Sequence, residues 1–159
     1  MRTVACVLCA LSTLFVLTLT AVAPAAEAAG PRVDHGERAV VRAINRARAA
    51  YGLRALHTHR RLARAADGHT RSMLRADYFS HGDFSSRVRR YVSFRRIGEA
   101  IAMSTRCGAR KVVGMWLNSP PHRALLLSGR FRRIGVGRRK GMLGATRACV
   151  VTADFASRR

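Results

Sequence analysis

Three side chains of this sequence could do chemistry together: the imidazoles of His81 and His122 and the carboxylate of Glu99. Glu99 lies between Gly98 and Ala100 in a small, apolar stretch, which predicts that it is partly buried. A buried carboxylate needs a cationic or hydrogen-bonding partner, or it takes up a proton. Two imidazoles and one carboxylate meet that need, and they are also ligands that zinc or a related divalent cation accepts. The residue types therefore suggest a metal site, although their spacing alone carries no metal-site signature.

Other interpretations of these polar residues stay open. Glu99 can pair with one of the many arginines instead of a metal. Ser119 and His122 suggest a Ser/His couple for acyl transfer, but the sequence offers no third residue to orient the imidazole, and a serine at this place more often forms hydrogen bonds at a helix end. His69 lies on an apolar helical stripe, which favours a hydrogen-bonded core histidine over a ligand.

Several catalytic motifs are absent from the sequence. It contains no His-Glu-x-x-His helix, no G-x-S-x-G turn, and no glycine-rich loop for nucleotide phosphates. His57-x-His59 would suit a metal only on an extended strand, and we predict that it lies on the surface where a helix begins. Whether the protein is an enzyme is therefore left open by the sequence.

Helices come first along the chain and strands last. Asp34-x-x-Glu37 predicts a capping box, Gly52 predicts the end of that helix, and arginines such as Arg48 are predicted on its exposed faces. Pro120 and the proline after it are predicted to end a later helix. The patterns predict helices between residues 34 and 52 and over 58–76, 85–92 and 109–118, a buried turn at 125–127, and strands over 134–138 and 145–155. This order indicates an α+β layered domain.

The first thirty residues are typical of a secretory signal peptide. A basic residue, Arg2, precedes an apolar run over residues 3–23, and small residues spaced A-x-A follow. Cleavage is predicted after Ala28, with a second candidate site after Ala25, and the alternative is an uncleaved membrane anchor. The predicted organisation is a signal peptide over residues 1–28, a short segment over 29–36 and one domain over 37–156. The protein is expected to be secreted.

Four cysteines fall into two pairs. Cys6 and Cys9 lie inside the export segment and are expected to leave with it. Cys107 and Cys149 are predicted to form one disulfide in an oxidising compartment, with two unpaired buried thiols as the alternative. Closing a loop of about 43 residues would stabilise the fold by about 4 kcal/mol on the chain-entropy account.

The composition excludes several classes of protein. With 159 residues, 48% hydrophobic and 24% charged, the chain is neither disordered, collagen-like nor a multi-helix membrane protein. Its 30 basic and 8 acidic residues give a net charge of +22, and only Lys111 and Lys140 are lysines. Such a chain adheres to polyanions in general, but aromatic residues are not interleaved with the arginines. No specific nucleic-acid partner is therefore expected.

Six motifs in register resemble one family over about residues 37–155. They are Ile44-Asn45-Arg46 with Tyr51-Gly52-Leu53, Leu62 with His69 and Met73, Tyr78-Phe79-Ser80-His81, Gly98-Glu99, Trp116-Leu117-Asn118-Ser119-Pro120-Pro121-His122-Arg123, and Ile134-Gly135-Val136-Gly137. Together they resemble the CAP superfamily of cysteine-rich secretory proteins, antigen 5 and pathogenesis-related proteins, and in particular its bacterial extracellular SCP-like branch.

The resemblance implies a three-layer α-β-α sandwich with a central cleft. In many members two histidines and two acidic residues line that cleft and hold zinc or a related cation. His81, Glu99 and His122 fall on three of these positions, whereas Ser119 falls on the fourth, which is usually a glutamate. Ala100 replaces the asparagine that commonly follows the glutamate. Both departures remove polar groups, so the implied metal affinity is weaker or absent.

The family implies no single activity, because members are linked to sterol or lipid binding, defence, signalling and proteolysis. The sequence favours a secreted, non-catalytic, monomeric binding module with a small or lipidic ligand in the cleft and a basic surface on envelope anions. The alternative is a metal-dependent hydrolase, in which His81 and His122 are ligands and Glu99 is a ligand or the base for a bound water.

Overall fold

A computed structural model describes residues 34–158 of the chain. Within this range it contains five α-helices and four β-strands. In chain order they are α1 (His35–Ala50), β1 (His57–Thr58), α2 (Arg60–Arg75), α3 (Phe84–Arg89), β2 (Ile97–Ser104), α4 (Ala109–Leu117), α5 (Pro120–Leu126), β3 (Arg133–Leu143) and β4 (Thr146–Ala156). The predicted export segment, with Cys6 and Cys9, lies outside the described residues.

Helix α1 begins at the predicted capping box. The backbone amide of Glu37 donates to Asp34 Oδ1 at 2.7 Å, and the amide of Asp34 donates to Glu37 Oε2 at 2.9 Å. The helix ends before Gly52, which has a positive φ of 65°. The prediction that Arg48 is exposed is wrong. Its side chain is fully buried and donates to the carbonyls of Arg54, Leu126 and Ser128, because it joins α1 to the end of α5.

The four strands form one sheet in the order β1-β3-β4-β2. Strands β3 and β4 are the predicted hairpin, β2 pairs antiparallel with β4, and β1 pairs parallel with β3. Strand β3 extends beyond its predicted bounds and reaches Leu143, whereas β4 lies one residue later than predicted. Strand β2 lies at one edge of the sheet, where side chains from helices on both faces can meet.

Helices cover both faces of the sheet. On one face, Ile44 of α1, Trp116 of α4 and Leu126 of α5 are buried in one cluster with Val151 and Phe155 of β4. Helices α2 and α3 cover the other face, where Met73 of α2 packs with Val150 of β4 and Leu62 of α2 with Val88 of α3. The result is the three-layer α-β-α arrangement expected for an α+β domain.

Helix α2 lies directly on β3 because glycines leave room for its backbone. A Cβ at Gly135 would overlap the backbone of Leu62 and Ala63, and a Cβ at Gly137 would overlap the backbone of Ala66 and Asp67. The two residues are spaced by two along a strand, so both lie on the same face of the sheet. The paired glycines therefore determine how closely the backbone of α2 approaches β3.

Three elements differ from the prediction. Residues 97–104 form β2 although they were not predicted as a strand, because a strand buried on both faces lacks clear alternation. Pro120 does more than end α4, since it begins α5, where a missing amide hydrogen costs nothing. His57 lies on short strand β1 rather than at a helix start, and His59 is the N-cap of α2. The Nδ1 atom of His59 accepts a hydrogen bond from the backbone amide of Leu62 at 3.4 Å, so this nitrogen caps α2.

The predicted disulfide is present. Cys107, in the loop after β2, is bonded to Cys149 on β4, and their Cα atoms are 5.3 Å apart. It anchors that loop beside the end of the edge strand, where Ser104 pairs with Cys149. Among residues 34–158, none of the helices has the length and apolar character to cross a membrane.

Candidate functional site

The candidate site lies at edge strand β2 and starts from Glu99. The side chain of Glu99 is 1% exposed and lies on the face of the sheet that α2 and α3 cover. Its cross-strand neighbour is Asp154 of β4, which is fully buried. Two carboxyl groups thus lie side by side in the interior, where each ionised group needs a partner.

The three residues predicted from the sequence do come together at this edge. His81, in the loop after α2, shares a hydrogen bond with Glu99, with Nδ1 2.8 Å from Oε1. His122 is on α5, and its ring centroid lies 6.3 Å from that of His81. Ser119, the N-cap of α5, has its hydroxyl oxygen 3.0 Å from His122 Nδ1. No carboxylate among residues 34–158 orients the His122 imidazole.

Arg87 of α3 is the principal partner of both buried carboxyl groups. Its Nη1 donates to Asp154 Oδ2 at 3.0 Å, and its Nη2 donates to Asp154 Oδ1 at 3.1 Å. Nη2 also donates to Glu99 Oε2, and Nη1 donates to the carbonyl of Ala65 at 3.0 Å. The open alternative, in which an arginine pairs with Glu99, is therefore the arrangement found.

His69 of α2 completes the buried group. It is a core histidine, as predicted, whose Nε2 donates to the carbonyl of Ser80 at 3.1 Å. The same nitrogen lies 3.8 Å from Glu99 Oε2. Burial, together with the nearby charge of Arg87, lowers the pKa of His69 to about 4. His69 is therefore neutral near pH 7 and adds no charge to the site.

Burial and the neighbouring Asp154 carboxyl together raise the pKa of Glu99 to about 8, although the charge of Arg87 opposes the shift. Burial also raises the pKa of Asp154. One guanidinium charge cannot balance two buried carboxylates, so the pair retains a proton at neutral pH. Arg87 donates two hydrogen bonds to Asp154, whereas it donates one to Glu99. This difference places the proton on Glu99.

A groove of about 660 Å³ opens beside this buried group. We call it the cleft, and it lies between α2, α3 and the loop that carries His81. The polar and aromatic residues that line it are His69, Ser72, Arg75, Tyr78, His81, Asp83, Arg87, Arg90 and Tyr91. Three arginines thus face one carboxylate, Asp83, among the described lining residues, and together with the tyrosines they suit an anionic ligand with a ring.

Comparison with known proteins identifies the fold. The family described as CAP, cysteine-rich secretory protein family, matches residues 41–152. The chain belongs to the CAP family.

Two solved structures superpose on most of the chain. An extracellular protein with an SCP domain from Bacillus anthracis is 28% identical, with a TM-score of 0.67, and the match covers 77% of this chain and 40% of that one. An outer surface protein from Borrelia burgdorferi is 23% identical, with a TM-score of 0.68, covering 81% of this chain and 97% of that one. The second likeness shows the fold alone.

A curated relative is the Uncharacterized membrane protein YlbC of Bacillus subtilis. It is 35% identical over 107 residues, which are 64% of this chain and 31% of the relative. This CAP chain therefore spans about a third of the length of that relative.

The metal site that the CAP resemblance implies does not fit these residues. Glu99 Oε1 bonds to His81, Glu99 Oε2 to Arg87, and both oxygens of Asp154 to Arg87. A divalent cation here would face a fixed guanidinium charge and a protonated Glu99. Within the described part of the chain, no group of three His, Cys, Asp or Glu side chains is arranged to hold a metal. The geometry therefore disfavours the metal site that the sequence suggested at His81, Glu99 and His122.

Sequence reasoning missed two members of the site and the position of a third. Asp154 is an acid inside an apolar strand pattern, which signals a buried carboxyl group with a partner. His69 was identified as a core histidine but not placed beside Glu99. Nothing in the local sequence distinguishes Arg87 from the other arginines of the chain.

Proposed function

We propose that this protein is an extracellular, non-catalytic CAP binding module whose cleft holds a small organic anion. The observation that carries the proposal is that Arg87 holds both buried carboxyl groups. It pairs with Asp154 and donates a hydrogen bond to Glu99, so these carboxyl groups have a structural role. Arg75 and Arg90 line the cleft together with Tyr78 and Tyr91. Guanidinium groups bind carboxylate and phosphate in a two-pronged geometry, and tyrosine faces stack on rings.

The same geometry disfavours hydrolysis. A general base must be unprotonated near the operating pH, and Glu99 retains its proton there because its pKa is about 8. Glu99 was also the proposed ligand or base of the alternative metal-dependent hydrolase, and both of its oxygens are engaged. No observation favours that alternative over the binding module.

The choice between a small and a lipidic ligand follows from the walls of the cleft. Arg75, Arg90, Tyr78 and Ser72 line the cleft, and no Leu, Ile, Val, Met or Phe is among the described residues that line it. An acyl chain would gain little apolar contact there. A small anion therefore suits the cleft better than a lipid.

The basic surface supports a second part of the proposal, docking on anionic material of the cell envelope. The net charge is +22, and exposed arginines lie on several elements of the fold. At physiological salt the screening length is about 8 Å, so such docking weakens as salt rises. We propose that the protein works as a secreted monomer without specific nucleic-acid recognition.

Calorimetric titration with phenyl phosphate, an aromatic anion, tests the cleft. We expect saturable binding to the wild type, about tenfold weaker binding to Arg90→Gln, and unchanged binding to Arg110→Gln, which removes the same charge from α4. The released phenol is measured in parallel to detect turnover. Equal weakening by both substitutions would show adhesion to surface charge only, and enzyme-dependent phenol release would refute the non-catalytic assignment.

Retention on purified anionic cell-wall material tests the docking part. We expect most of the protein to be retained at about 50 mM NaCl and little of it at about 500 mM, because the contacts are electrostatic. Retention that is the same at both salt concentrations would contradict electrostatic docking.

A further inference from the structure

One glycine of the cleft is not explained by the helix that contains it. Gly68 lies near the middle of α2, is half-buried, and lines the cleft. Apart from proline, glycine is the least favourable residue in a helix interior, because it loses the most backbone entropy on folding. The glycines with a positive φ among the described residues are Gly52, Gly82 and Gly144, so the backbone of Gly68 does not require a glycine.

Packing within the fold does not explain Gly68 either. A Cβ at Gly135 or Gly137 would overlap the backbone of α2, so those two glycines are needed where helix and strand approach. Leaving aside its chain neighbours and the backbone of its own helix, a Cβ at Gly68 would meet one described atom within 4 Å, Tyr91 Oη at 3.9 Å. That separation is an ordinary van der Waals contact. An alanine side chain would therefore fit at this position, and it would favour the helix.

The place of Gly68 in the cleft gives the missing side chain a consequence for a ligand. Ala65 and Ser72, one helical turn away on either side, also line the cleft, so this face of α2 forms one wall. Where the wall has no Cβ, a planar group can contact the helix backbone directly. A methyl group at Gly68 would stand about 1.5 Å from the Cα atom and hold a ring off the wall. A ligand whose anionic group is held by Arg75 and Arg90, which line the same cleft, would then lose its fit.

We infer that Gly68 makes the cleft selective for a ring, because it lets the ring of an aromatic anion lie directly on the backbone of α2. The inference rests on the proposed binding function and narrows the ligand to an anion that carries a planar ring. The arginines of the cleft hold the anionic group, and the space over Gly68, which Tyr91 Oη bounds on one side, selects the ring. A larger residue at position 68 keeps the anion site and loses the preference for a ring.

Titration of the Gly68→Ala variant with two anions, followed by the amide NMR signals of the protein, tests the inference. Phenyl phosphate carries a ring, and methyl phosphate is the same anion without one. We expect Gly68→Ala to weaken the binding of phenyl phosphate about tenfold, because the added methyl group occupies the place of the ring. The binding of methyl phosphate should stay within about twofold of the wild type, because the arginines are unchanged.

Gly114→Ala is the matched control. Gly114 is also half-buried within a helix, α4, it does not line the cleft, and a Cβ there, counted in the same way, would meet no described atom within 4 Å. Both substitutions should raise the melting temperature by about 3–5 °C, because alanine favours a helix more than glycine does. Gly114→Ala should leave the binding of both anions within about twofold of the wild type.

Three outcomes would overturn the inference and leave the proposed function standing. A lower melting temperature for Gly68→Ala would show that the glycine serves packing. A stabilised Gly68→Ala variant that binds phenyl phosphate as the wild type does would show that the ring lies elsewhere. Equal weakening of both anions would assign Gly68 to the anion site rather than to the ring. Wild-type protein that does not bind phenyl phosphate would refute the proposed function and this inference together.

Discussion

Replacing Arg87 with glutamine tests the structural role given to the buried group. The guanidinium is 13% exposed, and it faces two carboxyl groups whose side chains are 1% and 0% exposed. Glutamine keeps some length and polarity but no charge. At pH 8, removing one partner of a buried ion pair costs about 3–5 kcal/mol, because the remaining charge is left uncompensated.

The cost of the Arg87→Gln substitution depends on pH. At pH 5 Glu99 holds its proton, and burial, which raises the pKa of Asp154, favours the protonated form of that carboxyl as the pH falls. The loss is then smaller and approaches that of hydrogen bonds alone, about 1–3 kcal/mol. We expect the variant to be destabilised less at pH 5 than at pH 8, by roughly 2 kcal/mol.

Urea unfolding at 25 °C, at pH 5 and pH 8, measures both values. Arg89→Gln is the matched control, because Arg89 is on the same helix, is exposed, and makes only contacts of 3.4 Å. It should change the free energy of unfolding by less than about 0.5 kcal/mol. An Arg87→Gln variant as stable as this control at pH 8, or a loss that does not change with pH, would refute the reasoning.

Three further predictions concern the rest of the fold. The pKa of Glu99 is about 8 in the folded protein against an ordinary 4.5, so the stability that Glu99 contributes is lost as the pH rises through 8. The pKa of His69 is about 4 in the folded protein against an ordinary 6.5, so the stability that His69 contributes is lost as the pH falls through 4. The two effects oppose each other between pH 4.5 and 6.5. From pH 6.5 to 8, urea unfolding should show the free energy of unfolding falling by about 1–2 kcal/mol, and the Glu99→Gln variant should not show this fall. An equal fall in the variant would exclude Glu99 as its source. Reducing the disulfide between Cys107 and Cys149 should cost about 4 kcal/mol in the same assay, and no change on reduction would contradict this. Gly135→Ala should lower the free energy of unfolding by about 1–3 kcal/mol or more, because the added Cβ overlaps the backbone of α2. A melting temperature equal to that of the wild type would contradict this and show that α2 can shift.

Local patterns predicted much of the fold because their causes are local. The capping box of Asp34 and Glu37 requires only residues three apart. Cys107 and Cys149 are the two cysteines outside the predicted export segment, so one pairing was available to them. Strand β2 was missed because Gly98 and Ala100 are small and both faces of the strand are buried, so no alternation is visible. Arg48 was misplaced because its partners are carbonyl groups at the distant end of α5.

The candidate site was predicted only in part because its chemistry depends on long-range contacts. His81, Glu99 and His122 were placed together by the family motifs that contain them. Arg87 and Asp154 are 67 residues apart, and their contact depends on the register of β2 against β4 and on the position of α3. No local feature selects one arginine among so many. The partner that decides the chemistry of Glu99 was therefore visible only in three dimensions.

The most direct test of this account is native mass spectrometry of the protein purified from culture medium without a chelator. We predict a chain that carries one disulfide and no stoichiometric metal, and that gains one phenyl phosphate per molecule when this probe is added. Substituting Arg90 should reduce that adduct while leaving the metal-free mass unchanged. One equivalent of zinc per chain, removed by EDTA and absent from a His81→Ala variant, would contradict the claim that a guanidinium rather than a metal neutralises this site.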